Sequence, residues 1–432
     1  MREGIPGMSL FHCLCLMAAA SGNFGGGERG THFMTRFRML QKADLALDVA
    51  VLLVSGVAML ITGALLFPVS AGKLPYYENG LYGLLLFFFA LQAVVLGRTP
   101  FGDMRRSRAL SAAGVAAAAA GIVTCFVPGA FHRLPRLILF VCLFPGGLLL
   151  LVRMLLSRDK LRSWIQYGGV FRPLIPGCVS VYLLSMLTGL LILKQDLLSP
   201  SMTGVAVLAF GGALLRLALV LQKIYGEHPE AAKASTGDGG LPFDRAMLLL
   251  TGVFMLLLGI LLVPVNFGML PFSGSAQLGL LMVIFAIQML ASGSTPVGPF
   301  PRSRLMILAG ILFAALGTTS CIIPGILVPF LTLLVGALNI AGGILSLAKL
   351  SRPFLKRTGD GQGKQVHPLV ARVSAAQLAM NILSVLFGTS MFVSGLIPGA
   401  VLGVILACNG CVLLYLMRLL SLLERMQGGA PV

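Results

Sequence analysis

From Ala50 to Met417 the chain is written in apolar runs of 18 or more residues, charge-free along most of their length. A helix rising about 1.5 Å per residue needs roughly 20 such residues to cross a hydrocarbon core. Hydrocarbon offers no partner to a backbone amide, so only helices and closed barrels span it. The short alternating segments of a barrel are absent. Hydrophobic residues make up 57% of the chain and charged residues 11%, with a mean hydropathy of +0.95. A soluble domain carries about twice that share of charge. The fold class expected is all-α, a polytopic helical membrane protein of about twelve transmembrane helices. The spans expected are 47–67, 80–97, 109–128, 136–153, 173–193, 203–222, 245–265, 277–293, 305–323, 326–348, 373–394 and 399–417.

The charges set an orientation. The net charge is +18, but it lies in alternate short loops rather than on a nucleic-acid-binding face. Arg105, Arg106 and Arg108 follow the second span, Arg153, Arg158 and Lys160 the fourth, and Lys349, Arg352 and Lys356 the tenth. The opposite loops hold Lys73, His132, Arg133, Arg136 and Lys194 as their only basic residues. Lys and Arg stay on the cytoplasmic side, so both termini are expected there, in a cell inner membrane. The expected partners are the lipid bilayer and an unknown protein, with no nucleic acid. The stretch "MSLFHCLCLMAAASG" resembles a signal peptide, yet cleavage there reverses every later loop against its charge. Met34 as the natural start avoids that conflict, and residues 1–33 are then upstream sequence or an arm.

The chain repeats itself. Shifted by 196 positions, the difference between Gly63 and Gly259, it aligns without a gap from Leu47 to Gly147. Gln92 meets Gln288, Cys125 meets Cys321, and "FPVSAGKLP" meets "VPVNFGMLP". A shift of 199 later brings Gly189 onto Gly388 and Gly211 onto Gly410. Six spans is an even number, so both halves are expected to enter the membrane in the same sense, as parallel repeats do. The expected divisions are a cytoplasmic arm 1–46, a membrane repeat 47–222, a linker 223–244, a second repeat 245–420 and a tail 421–432. Within each half, Gly precedes Pro at every outer turn, for example Gly63 and Pro68, or Gly317 and Pro324. Each half is therefore expected to consist of three hairpins.

Such Gly/Pro-punctuated hairpins, as in "LAGILFAALGTTSCIIPGILVPFLTLLVGALNIAGGILSLAKL", resemble the HdeD-like acid-resistance membrane proteins. One half has the length of one such protein, so the chain resembles two fused in tandem. The resemblance implies an integral inner-membrane protein linked to acid stress, without an established catalytic site. A rival resemblance is to the major facilitator transporters, through the twelve spans and the loop "GRTPFGDMRRSRAL". The acid and arginines there are not at that family's spacing, and "GSTPVGPFPRSRLM" has no acid.

Four amides form the candidate polar intramembrane site: Gln92, Gln288, Asn339 and Asn381. An amide in hydrocarbon must find a partner, so each is either glue between helices or the lining of a path. Asn339, Gln377, Asn381 and Asn409 enrich the second half only, so the second half is the one expected to have specialised if either did. Arg216 is expected to reach the interface, and Asp48 and Asp244 to sit at helix N-termini. Gly56, Gly63, Gly252 and Gly259 are expected to pack helices closely. No catalytic, metal or cofactor motif is present, and no Asp, Glu, Lys or His lies mid-span, where proton carriers need one. The expectation is a non-enzymatic membrane protein contributing to acid or stress tolerance. The alternative is a transporter or channel for a neutral or weakly charged solute, with a path between the halves.

Overall fold

The computed structural model describes residues 45–103, 107–156, 173–228, 242–295, 297–299, 302–357, 368–393 and 398–428. The signal-like stretch, Met34, most of the linker and the extreme tail lie outside the described residues. Twelve helices are long and apolar enough to cross a membrane, so this is a multi-pass helical membrane protein. They are α1 (Leu47–Ser70), α2 (Glu78–Leu91, its span continued by a π-helical turn, Gln92–Leu96), α3 (Arg108–Phe126), α4 (Leu134–Leu156), α5 (Leu174–Leu193) and α6 (Pro200–Glu227). The second half adds α7 (Phe243–Asn266), α8 (Gly274–Ser292), α9 (Arg304–Ile322), α10 (Val328–Arg357), α11 (Pro368–Phe392) and α12 (Gly399–Gly428). The expected spans all fall on these helices. The helices α6, α10 and α12 outrun them, because a helix does not stop where the hydrocarbon does. The expected linker is helical at both of its ends, through Glu227 and from Phe243.

Of the sequence-adjacent hairpins at the Gly/Pro turns, only the third of each half, α5 with α6 and α11 with α12, packs extensively. The helices α1 and α2 barely touch, as do α3 and α4. Packing is most extensive for α1 with α6, α2 with α3, and α4 with α5, and then again for α7 with α12, α8 with α9, and α10 with α11. Glycines bring these backbones together. A Cβ on Gly63 would stand 2.6 Å from the Leu208 nitrogen on α6, and one on Gly83 would stand 2.5 Å from the Gly121 oxygen on α3. Without a hydrophobic drive between helices in lipid, close backbone approach of this kind is what holds them. Each glycine thus serves a partner the turn pattern did not indicate.

Helices α2 and α8 are the centre. They are apolar on every face, and nearly every residue from Gly80 to Leu91 and from Ala276 to Ala291 is buried. A helix hydrophobic all round belongs inside. The lipid-facing surface falls to helices such as α4 and α9, with Leu149, Leu155, Leu308 and Leu312 exposed.

Two features join the halves reciprocally. The Tyr77 amide donates to the Ile322 carbonyl at 2.9 Å, and the Ser273 amide donates to the Phe126 carbonyl at 2.9 Å. The Cys125 and Cys321 thiols both donate weakly to the Ala276 carbonyl, at 3.9 and 3.6 Å. Phe126 meets Phe254 and Phe272 edge-on, with centroids 5.5 and 5.9 Å apart.

Candidate functional site

The helices α1, α2, α4, α5 and α6 line a partly open cavity of about 560 Å³, wholly within the first half. Its lining runs on α1 from Asp48 to Met59, and on α6 from Phe210 to Leu221. Eleven steps of α1 span about 16 Å, roughly half of a hydrocarbon core. Every other lining segment likewise belongs to the end of its helix nearest the basic loops, so the cavity is a vestibule on that side. Its walls are mainly apolar and aromatic, with Met59, Phe88, Phe89, Leu143 and Phe210 among them.

A short hairpin forms the rim. It pairs β1 (Arg98–Thr99) with β2 (Gly102–Asp103), and β3 (Ser294–Thr295) with β4 (Gly298–Pro299) repeats it in the second half. The Thr99 hydroxyl donates to the Gly102 carbonyl at 2.8 Å, and the Thr295 hydroxyl to the Gly298 carbonyl at 2.7 Å. Gly102 has φ 129°, open to glycine alone at low strain, and the Arg153 guanidinium lies over it, 2.7 Å from where a Cβ would stand. Lys349 takes the equivalent place over Gly298. Arg153 is thus the cation among the residues lining the cavity.

Asp48 carries the opposite charge at the mouth. It is 2% exposed, accepts from the Val49 amide at 3.0 Å and from the Tyr225 hydroxyl, and lines the cavity. Its repeat counterpart Asp244 is exposed. Both lie in the first turn of a helix, as expected, but in different surroundings.

Of the four amides named from the sequence, only Gln92 lines the cavity. It is half-buried, and no hydrogen bond from its side chain reaches a described residue. Gln288 instead donates to the Thr251 hydroxyl of α7 at 3.2 Å. The Asn339 amide donates to its own helix, at Val335, and its oxygen accepts from Ser384 of α11 at 3.0 Å. Asn381 is buried on α11, beside Gly343 of α10. The four do not converge. Gln288 and Asn339 each hydrogen-bond to a neighbouring helix, and the cavity lies in the half that the asparagines do not enrich. Arg216 is exposed, in keeping with a reach to the interface.

Sequence reasoning missed Ser55, whose hydroxyl is buried at the cavity wall without a hydrogen-bond partner. The signal was available: Ser55 aligns with Thr251, so both halves place a hydroxyl one helix away from the glutamine. It also missed Tyr182, which lines the cavity where the second half has Asn381. Comparison of the chain with protein-family models, curated proteins and solved structures finds no match.

Proposed function

We propose that this is a non-enzymatic inner-membrane protein that binds a neutral or weakly charged small solute in the α1–α6 cavity and carries or passes it across. The observation that carries this reading is the cavity itself. Small-molecule sites run from about 300 to 1,000 Å³, mostly apolar with a few placed polar groups. A volume of about 560 Å³ with Ser55 and Gln92 in a hydrophobic wall fits that description. The path sits inside the first half rather than between the halves, where Cys125, Phe126 and Phe254 are fully buried. The two halves are read as parallel six-helix repeats, supported by the same helix pairs recurring in each. Both termini are read as cytoplasmic, supported by the basic loops.

Cys178 lines the cavity, whereas Cys125 is fully buried, which supplies the test. Variants keeping only one of these thiols are exposed in membrane vesicles to an impermeant cationic methanethiosulfonate. Cys178 is expected to react in inside-out vesicles and Cys125 in neither kind. If Cys178 stays as inert as Cys125 from both sides, the cavity is not open to water and the solute reading falls.

A second reading, acid or stress tolerance of the HdeD-like kind, is favoured by one cluster at the opposite ends of the helices. Glu78 there accepts from Arg136 at 3.1 Å and from Gln195 at 2.9 Å, and Tyr82 adjoins it. The Glu78 carboxylate thus ties three elements together on that face. Survival of a deletion strain after strong acid challenge tests it: unchanged survival removes the tolerance role.

A further inference from the structure

We propose that Gln92 and Ser55 are the residues that select the solute, and that they select for an apolar body bearing one neutral group able both to donate and to accept a hydrogen bond. The proposal rests on the solute reading above and says what the cavity recognises.

The two halves hold the same pair in opposite states. In the second half the Gln288 amide is satisfied by the Thr251 hydroxyl at 3.2 Å. In the first half the equivalent Gln92 and Ser55 both line the cavity; the amide bonds to no described residue, and the hydroxyl is buried without a partner. A buried polar group left unpaired is costly, and native structures seldom keep one without a use.

The backbone differs at the same point. From Gln92 to Leu96 the chain winds as a π-helical turn, whereas the equivalent residues of α8 remain α-helical through Ser292. Both segments end on a left-handed glycine, Gly97 at φ 65° and Gly293 at φ 71°. The same number of residues is therefore wound differently between equivalent starts and stops, beginning at Gln92 itself. Single π turns inside α-helices recur at functional sites.

The chemistry of the ligand follows. An amide and a hydroxyl supply donors and acceptors but no charge. Asp48 lies seven residues from Ser55, about 10 Å along α1, and so serves the mouth rather than this depth. An ion brought to Ser55 would lose its hydration with no counter-charge beside it, which is strongly unfavourable. A neutral hydroxyl or amide group satisfies both residues, while Phe88, Phe89 and Phe210 cover an apolar or aromatic body.

The test uses the full chain in lipid nanodiscs and two probes of one shape, naphthol and naphthalene, measured by equilibrium dialysis against empty nanodiscs. Saturable binding of both is expected, with naphthol tighter by about three- to tenfold, the factor one net hydrogen bond supplies. Gln92→Leu is expected to keep naphthalene binding and erase the preference. Ser55→Thr, which recreates the second half's pair, is expected to reduce naphthol binding while leaving elution and thermal stability unchanged. Equal binding of the two probes by wild type, or a preference that survives Gln92→Leu, overturns the selecting role and leaves an apolar cavity. No saturable binding of either probe overturns the solute reading as well.

Discussion

Adjacent residues can take opposite substitutions, and Gly211 with Gly212 on α6 shows why. A Cβ on Gly211 would stand 2.6 Å from the Leu60 nitrogen, while one on Gly212 meets nothing within 4 Å. Neither glycine has a positive φ, so packing alone separates them. Gly211→Ala forces α1 and α6 apart and is expected to cost about 1–3 kcal/mol, the usual range for overpacking. Gly212→Ala gains helix propensity and is expected to stabilise by about 0.5–1 kcal/mol. Thermal unfolding of both variants in detergent measures the contrast, and equal shifts would refute the close approach. Glycine repeats were legible in the sequence as packing points. Which helix each one meets was not, because spacing along one helix carries no information about the face opposite.

Elements follow the same division. Apolar length alone located twelve helices, since the bilayer imposes it on each span separately. Pairing of α1 with α6, the first and last helices of a half, depends on long-range packing and had no local sign. The rim hairpins at Thr99 and Thr295 were equally hidden, being two residues per strand, too short for any periodicity. Glutamines were legible as a matched pair, but not that Gln288 bonds to Thr251 while Gln92 lines the cavity and is followed by a different winding. Sequence cannot show a π turn whose residues are ordinary helix formers. The Glu78–Arg136 link illustrates a contact between elements whose strength can be bounded in advance. It joins α2 to α4 at 3.1 Å, with the two side chains 39% and 29% exposed. Pairs this open are worth about 0–1 kcal/mol and are screened by salt. A double-mutant cycle with Glu78→Gln and Arg136→Met is expected to give a coupling below about 1 kcal/mol that fades in high salt. A coupling of several kcal/mol at any ionic strength would mean that the link fixes the position of α4.

At the scale of the molecule, the contacts joining the halves are those of a protein interior. Backbone bonds cross it in both directions, Tyr77 to Ile322 and Ser273 to Phe126, and the acceptor residues Ile322 and Phe126 are fully buried. Such a junction is specified by shape and hydrogen bonds rather than by the peptide link between α6 and α7. Two co-expressed chains, broken between His228 and Pro242, are therefore expected to assemble and co-purify through a tag on either one. Gly80 is the sensitive point, since its Cα lies against the Cys321 carbonyl with no room for a Cβ. Gly80→Val acts on backbone across the junction, which cannot yield as a flexible side chain would. In the split protein it is expected to abolish co-purification. Gly72→Ala, at a turn with open space around it, bears only its left-handed φ of 68° and is expected to leave assembly intact. If Gly80→Val halves still co-purify, the junction is held mainly by α1 on α9 and α3 on α7, and a second pair of substitutions there would be needed to part them. If the unmodified halves fail to associate at all, the covalent link is what keeps them together. The two halves would then owe their pairing to fusion rather than to complementarity, and a reciprocal hydrogen-bond pair would be too weak a device to hold them together in lipid.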